Sequence, residues 1–83
     1  MSLKAYILIN TNIGKTGEVV DALSAMPEVE HLDIIMGPYD IIAKVETENH
    51  ESLAETVMSK LQTISDIRHT MTCPVVSRGG DVL

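Results

Sequence analysis

The sequence predicts an α+β domain with its elements in the order βαββαβ. Apolar residues alternate with a period of two in four separate runs, two intervening stretches carry apolar residues at helical spacing, and every connection is short. At 83 residues the chain has room for one hydrophobic core.

The residues from Lys4 to Asn10 are apolar and β-branched, and the run stops at Thr11 and Asn12, residue types that favour turns and helix caps. Lys15 to Met26 is expected to be the first helix. Val19, Val20, Leu23 and Met26 lie at helical spacing, Glu18 and Asp21 stand off that stripe, and Pro27 closes it. Val29 to Met36 reads as the second strand, with Leu32, Ile34 and Met36 alternating with His31 and Asp33. Gly37 to Asp40 interrupts it and Ile41 to Glu46 resumes as the third, so these two are expected to be antiparallel neighbours joined by a tight connection. Asn49 suits an N-cap, Glu51 suits the positive end of a helix dipole, and Leu53, Val57, Leu61 and Ile64 mark one face of a second helix. Asp66 to Val76 is the last strand. Ile67, His69, Met71 and Cys73 are expected on one side of it and Arg68, Thr70 and Thr72 on the other, with Pro74 limiting the ladder. The domain is thus expected to span residues 1–76, with 77–83 a tail that is disordered or available to a neighbour.

With right-handed crossovers this order gives a four-stranded antiparallel sheet with both helices on one face, the ferredoxin-like arrangement. Ala5, Ile7 and Ile9 alternate with Tyr6 and Leu8, and Ile41, Ala43 and Val45 alternate with Ile42, so both faces of the sheet hold apolar residues. Two helices cover only one face. So short a chain buries only about 60–65 % of its unfolded surface, and Cys73, the only cysteine, can form neither an intrachain disulfide nor a paired-cysteine zinc site. The uncovered face is therefore expected to pack against its counterpart in a second copy, with two-fold symmetry.

Six basic residues against twelve acidic ones give a net charge of -6, the wrong sign for gripping a phosphate backbone. The absence of Trp and Phe removes base-stacking platforms as well. No apolar run approaches the roughly 20 residues of a membrane span, and the N-terminus has no leader-like pattern. A cytoplasmic protein that contacts neither membrane nor nucleic acid directly is expected.

Several motifs fall short of chemistry. Gly14-Lys15-Thr16 lies between a strand and a helix like a phosphate loop, but the glycine required five positions before Gly14 is Ile9. Gly14 more simply relaxes the turn into the first helix. His31 and His69 fall on strands that are not adjacent in this topology, and His50 sits at a helix start. Cys73 lacks a Cys-x-x-Cys partner and is expected to be buried and inert. Glu51 and Glu55, one turn apart, are expected to face water. No catalytic set, metal site or cofactor is expected. The segment with chemical content is Met36-Gly37-Pro38-Tyr39-Asp40. Its glycine lets main-chain N–H groups approach a carboxylate, and Asp40 can accept from an ammonium or, equally, cap its own backbone.

These residues also carry a family resemblance. A first strand, a glycine before the first helix, Val19-x-x-Ala22-Leu23, Pro27-Glu28-Val29, the turn at residues 36–40, Ile-Ile-Ala-Lys-Val at 41–45 and Ile-Arg-His-Thr-Met-Thr at 67–72 resemble the ligand-binding, or RAM, domain of the Lrp/AsnC family of amino-acid-responsive regulators. The likeness covers roughly residues 3–76, and the Gly-x-Tyr-Asp turn is its most specific element. It implies a ferredoxin-like fold, dimers formed through the sheets, and rings of four or five such dimers, that is, octamers or decamers. It also implies an amino-acid effector bound between dimers, where Gly37, Tyr39 and Asp40 of one subunit work with Thr70 and Thr72 of a neighbour. Members of the family typically carry an N-terminal helix-turn-helix domain, whereas this sequence opens at the first strand. The resemblance therefore implies a stand-alone effector domain, not an enzyme, that acts on full-length regulators of the family or on an enzyme. Competing readings are a small dimeric α/β-barrel enzyme of the cofactor-free monooxygenase or isomerase type, which needs a pocket of convergent His, Asp, Asn or Trp, and an ACT-like regulatory module, which pairs its sheets side by side.

Overall fold

The computed structural model describes residues 2–77, 79 and 80. It runs β1 (Leu3–Thr11), α1 (Thr16–Ser24), β2 (Val29–Ile34), β3 (Ile41–Thr47), α2 (residues 50–62) and β4 (Ile67–Pro74). The strands form one antiparallel sheet in the order β2-β3-β1-β4. This is the βαββαβ ferredoxin-like fold with both helices against one face. β1 and β3 are central, and their inward residues, Ala5, Ile7, Ile9, Ile41, Ala43 and Val45, are essentially inaccessible. Val19 and Leu23 of α1 and Leu53, Val57 and Leu61 of α2 close over them. Each fully buried branched side chain contributes about 1.5–3 kcal/mol, so this aromatic-free layer supplies most of the cohesion.

Gly14 takes φ +78° in the turn between β1 and α1, where the Lys15 amide donates to the Asn12 carbonyl at 3.0 Å. α1 ends at Ser24, two residues before the predicted end. Its Ser24 Oγ donates back to the Val20 carbonyl at 2.8 Å, and the amides of Ala25 and Met26 turn inward to the carbonyls of Ala22 and Leu23. Met26 remains buried as the stripe required.

Asn49 caps α2 as its residue type suggested: its Oδ1 accepts the Ser52 amide at 2.8 Å. The helix is α-helical at His50–Ser52 and Ser59–Gln62, and π-helical over Leu53–Met58 between them. The apolar spacing explains the wide turn. Leu53, Val57 and Leu61 are each four residues apart, a step that in an α-helix drifts about 40° each time. The wider i→i+5 turn takes up that drift, and all three residues are buried. Lys60, near the end of α2, donates from Nζ to both carboxylate oxygens of Glu28 at 3.0 and 2.9 Å, fastening the helix to the start of β2.

Three expectations are corrected. β2 stops at Ile34, and its register shifts between Val29 and His31. The shift lies ahead of the predicted alternation, which holds through Ile34: Leu32 and Ile34 stand opposite the inward Ala43 and Ile41, and His31 and Asp33 opposite Lys44 and Ile42. On this edge strand only Val29 and Leu32 pack on the core, while Ile34 is largely exposed and Met36, beyond the strand, fully so. A second register shift, at Asn10 and Thr11 of β1, turns Ile67 toward the core and away from the face that carries His69, Met71 and Cys73. Cys73 is exposed, opposite Tyr6 on the helix-free face. That face is mixed in character. Tyr6, Leu8, Ile42 and Met71 line its middle, whereas Lys4, Lys44 and Glu46 toward one end and His31 and Asp33 along β2 make it polar. The predicted tail at 77–83 lies largely outside the described residues; Ser77, Gly79 and Gly80 are exposed. Among the described residues no helix is long and apolar enough to cross a membrane.

Candidate functional site

β1 and β2 run parallel on either side of β3, so the β1–α1 turn and the β2–β3 turn emerge at the same end of the sheet. The β2–β3 turn holds Gly37, Tyr39 and Asp40. Gly37 adopts φ +144°, a backbone conformation that side chains resist. Asp40 continues the central ladder, its amide donating to the Ile9 carbonyl at 2.9 Å, and its own carbonyl accepts the Ile35 amide at 2.9 Å. The turn is thereby closed at its base.

The Asp40 carboxylate faces β1. Oδ2 accepts the Thr11 amide at 2.8 Å and the Thr11 hydroxyl at 3.3 Å, and Thr11 Oγ1 lies 2.8 Å from Thr16 Oγ1 at the start of α1. The capping reading expected this carboxylate on its own backbone; it accepts instead from a neighbouring strand. Among the described residues, none of its hydrogen bonds uses Oδ1. Tyr39 is half-buried, and its hydroxyl donates to the Met71 sulfur at 3.8 Å, which draws the ring across β1 toward the helix-free face of β4.

Thr70 and Thr72 lie on the opposite face. They pair with the buried Ile9 and Ile7, so both point toward the helices, and the Thr72 hydroxyl donates to the Met58 sulfur at 3.3 Å. A single chain thus brings Gly37, Tyr39 and Asp40 together and keeps Thr70 and Thr72 apart from them. Thr70 instead lines a groove of about 400 Å³ between the end of α2 and β4, with Leu61, Ile64 and Arg68 among its walls. Sequence reasoning missed this groove; the signal was the apolar stripe continuing to Ile64 and Ile67 beside an isolated arginine.

His31 and His69 sit on β2 and β4, the two opposite edges of the sheet. Glu51 and Glu55 are exposed. Two carboxylates are held below their ordinary range. Glu28 is lowered chiefly by its hydrogen bond from Lys60, and Glu46 chiefly by a hydrogen bond with Glu30 and then, more weakly, by Ser2, Lys4 and Lys44.

A family model described as the Lrp/AsnC ligand binding domain matches residues 4–79. An uncharacterized HTH-type transcriptional regulator of Pyrococcus abyssi is 33% identical over 73 residues, which make up 88% of this chain and 46% of that protein. The chain thus spans about half the length of the curated relatives it matches. The crystal structure of FFRP-DM1 superimposes with a TM-score of 0.85 at 36% identity, covering 89% of this chain and 99% of that one. A transcriptional regulator from Neisseria meningitidis, crystallised as a complex with L-Met, shares the fold with a TM-score of 0.84 at 15% identity, over 95% of this chain and 53% of that one.

Proposed function

The chain belongs to the Lrp/AsnC family, matched along its ligand-binding domain, and from that premise we propose that it is a regulatory domain that senses a free amino acid. The observation that carries this reading is the divided use of the Asp40 carboxylate. Oδ2 anchors the turn to Thr11, and Oδ1 takes no hydrogen bond among the described residues, which suits it to an ammonium group. Gly37, free of a side chain and with open space around it, lets backbone N–H groups approach the α-carboxylate of the same molecule. Tyr39 adds a hydroxyl that, among the described residues, is held only by a weak sulfur acceptor.

In this reading Thr70 and Thr72 act from a neighbouring subunit. The domain works as a homodimer joined through the helix-free face of the sheet, and dimers assemble further into octamers or decamers. Its output passes to full-length regulators of its own family in the cytoplasm, without catalysis and without DNA contact by this chain. The amino-acid class of effector is supported by the fold shared with the regulator crystallised with L-Met.

Thermal unfolding of the purified chain with each of the twenty amino acids tests the proposal. A ligand at about 100 times its dissociation constant stabilises the folded state by about 2.7 kcal/mol, roughly 10 °C or more for a domain of this size. One or a few amino acids are expected to give such a shift, and Asp40→Asn, which keeps the side chain's shape and loses its charge, is expected to abolish it. No shift for any of them with the folded assembly intact would refute the reading.

A further inference from the structure

We propose that the groove between the end of α2 and β4 is a binding site for a small aliphatic carboxylate, with Arg68 holding the carboxylate group. Met58, Leu61, Ile64 and Ile67 supply apolar walls, and Gln62, Arg68, His69 and Thr70 supply polar ones that make up the larger part of the lining surface. A volume of about 400 Å³ lies within the range of small-molecule sites, and the groove offers both an apolar wall for a tail and convergent polar groups for a head.

Arg68 sets the ligand class. The other described cations are engaged: Lys4 lies within 3.9 Å of Glu30 and 3.8 Å of Glu46, Lys15 is 3.5 Å from Glu18, Lys60 grips Glu28, and Lys44 stands 5.9 Å from the centre of the Tyr6 ring. Among the described residues Arg68 alone has neither a carboxylate nor a ring partner. Glu28, Glu30, Glu46 and Glu48 gather at the other end of the sheet from Arg68. Of the carboxylates at its own end, Asp40 is bonded to Thr11, and Asp66 accepts from Asn12 Nδ2 at 3.3 Å. A guanidinium without a carboxylate or ring partner among the described residues, beside a groove that has apolar walls and no carboxylate in its lining, suits a ligand with a carboxylate head and an alkyl tail. An amine head finds no partner there. Only Thr70 is shared with the effector site proposed above; the groove lies within one chain and its occupancy is independent of the turn.

Titration of the ¹⁵N-labelled chain, followed by amide chemical shifts, decides the matter, with hexanoate and hexylamine as probes. Hexanoate is expected to shift resonances within residues 58–70 saturably, and hexylamine is not. Arg68→Gln, at an exposed side chain without an internal partner, is expected to keep the fold and weaken hexanoate by about tenfold or more. Asp40→Asn is expected to leave hexanoate affinity within about twofold, as befits a separate site, so that failure of the turn and failure of the groove are told apart. The proposal is overturned if hexanoate shifts nothing or acts elsewhere, if hexylamine binds as well as hexanoate, if Arg68→Gln binds like the wild type, or if Asp40→Asn abolishes the effect.

Discussion

Asp40 and Thr11 join the β2–β3 turn to the end of β1: the carboxylate Oδ2 accepts the Thr11 amide at 2.8 Å, and the Thr11 hydroxyl stands 3.3 Å from the same oxygen. Thr11 is 5 % exposed, so its amide has little access to water as a substitute acceptor. The hydroxyl continues to Thr16, so the turn, the end of β1 and the start of α1 share one polar cluster. The carboxylate proposed to bind the ligand is therefore also a structural fastening.

Asp40→Ala is expected to lower the stability of the unliganded chain by about 1–3 kcal/mol, the cost of leaving a buried amide without a partner. Asp40→Asn, whose side-chain oxygen still accepts, is expected to lose less. Urea unfolding of both variants checks this, and an alanine variant as stable as the wild type would show that the bond contributes nothing.

Leu23 and Ile13 make a contrasting pair, the first fully buried between α1 and the sheet and the second 98% exposed in the β1–α1 turn. Leu23→Ala is expected to cost about 2–5 kcal/mol, a large part of the 5–15 kcal/mol typical of a folded domain. Ile13→Ala is expected to stay within about 0.5 kcal/mol of wild type. Equal midpoints in chemical denaturation would contradict the described packing.

Gly14→Ala tests backbone conformation without a steric clash. The residue holds φ +78°, and a Cβ placed there would meet nothing within 4 Å. The expected loss is about 1 kcal/mol, the conformational cost alone. A neutral result would mean that the turn relaxes to another shape.

The Glu28–Lys60 pair makes a prediction in pH. Glu28 is lowered from its ordinary value of 4.5, first through the Lys60 hydrogen bond, so its contribution is fully present above that value and is lost as pH falls through the folded value below it. Lys60 is 43% exposed, which limits the pair to about 0.5–1 kcal/mol. Lys60→Gln is therefore expected to be less stable at neutral pH and to lose less on acidification below 4.5, as read by denaturation midpoints across that range.

The element order was legible because each central strand and helix carries an unbroken period: Ile7 and Ile9, Ile41 and Val45, and Val19 and Leu23 all face where the spacing put them. One error arose where a residue slipped the register: the shift at Thr11 sent Ile67 inward. β2 kept its predicted alternation and differed in extent, ending at Ile34 before Met36. Cys73 was misplaced for another reason: it stands opposite Tyr6 on a face that no helix covers, and composition does not reveal coverage. At the site, the turn was visible from Gly37 and Asp40. The fastening of Asp40 to Thr11 joins residues 29 positions apart, a separation that local patterns do not span.

The π-helical stretch at Leu53–Met58 acts as an angular setting for everything that follows it in α2. Each residue advances an α-helix by about 100°. Winding the same residues as an ordinary α-helix would swing Lys60, Leu61 and Gln62 around the axis by about that angle. Lys60 would then leave Glu28, Leu61 would leave the core, and Gln62 would leave the mouth of the groove at Arg68. Winding and length in this segment are therefore coupled: a chain one residue shorter here keeps the same wall beside β4 by returning to ordinary α winding.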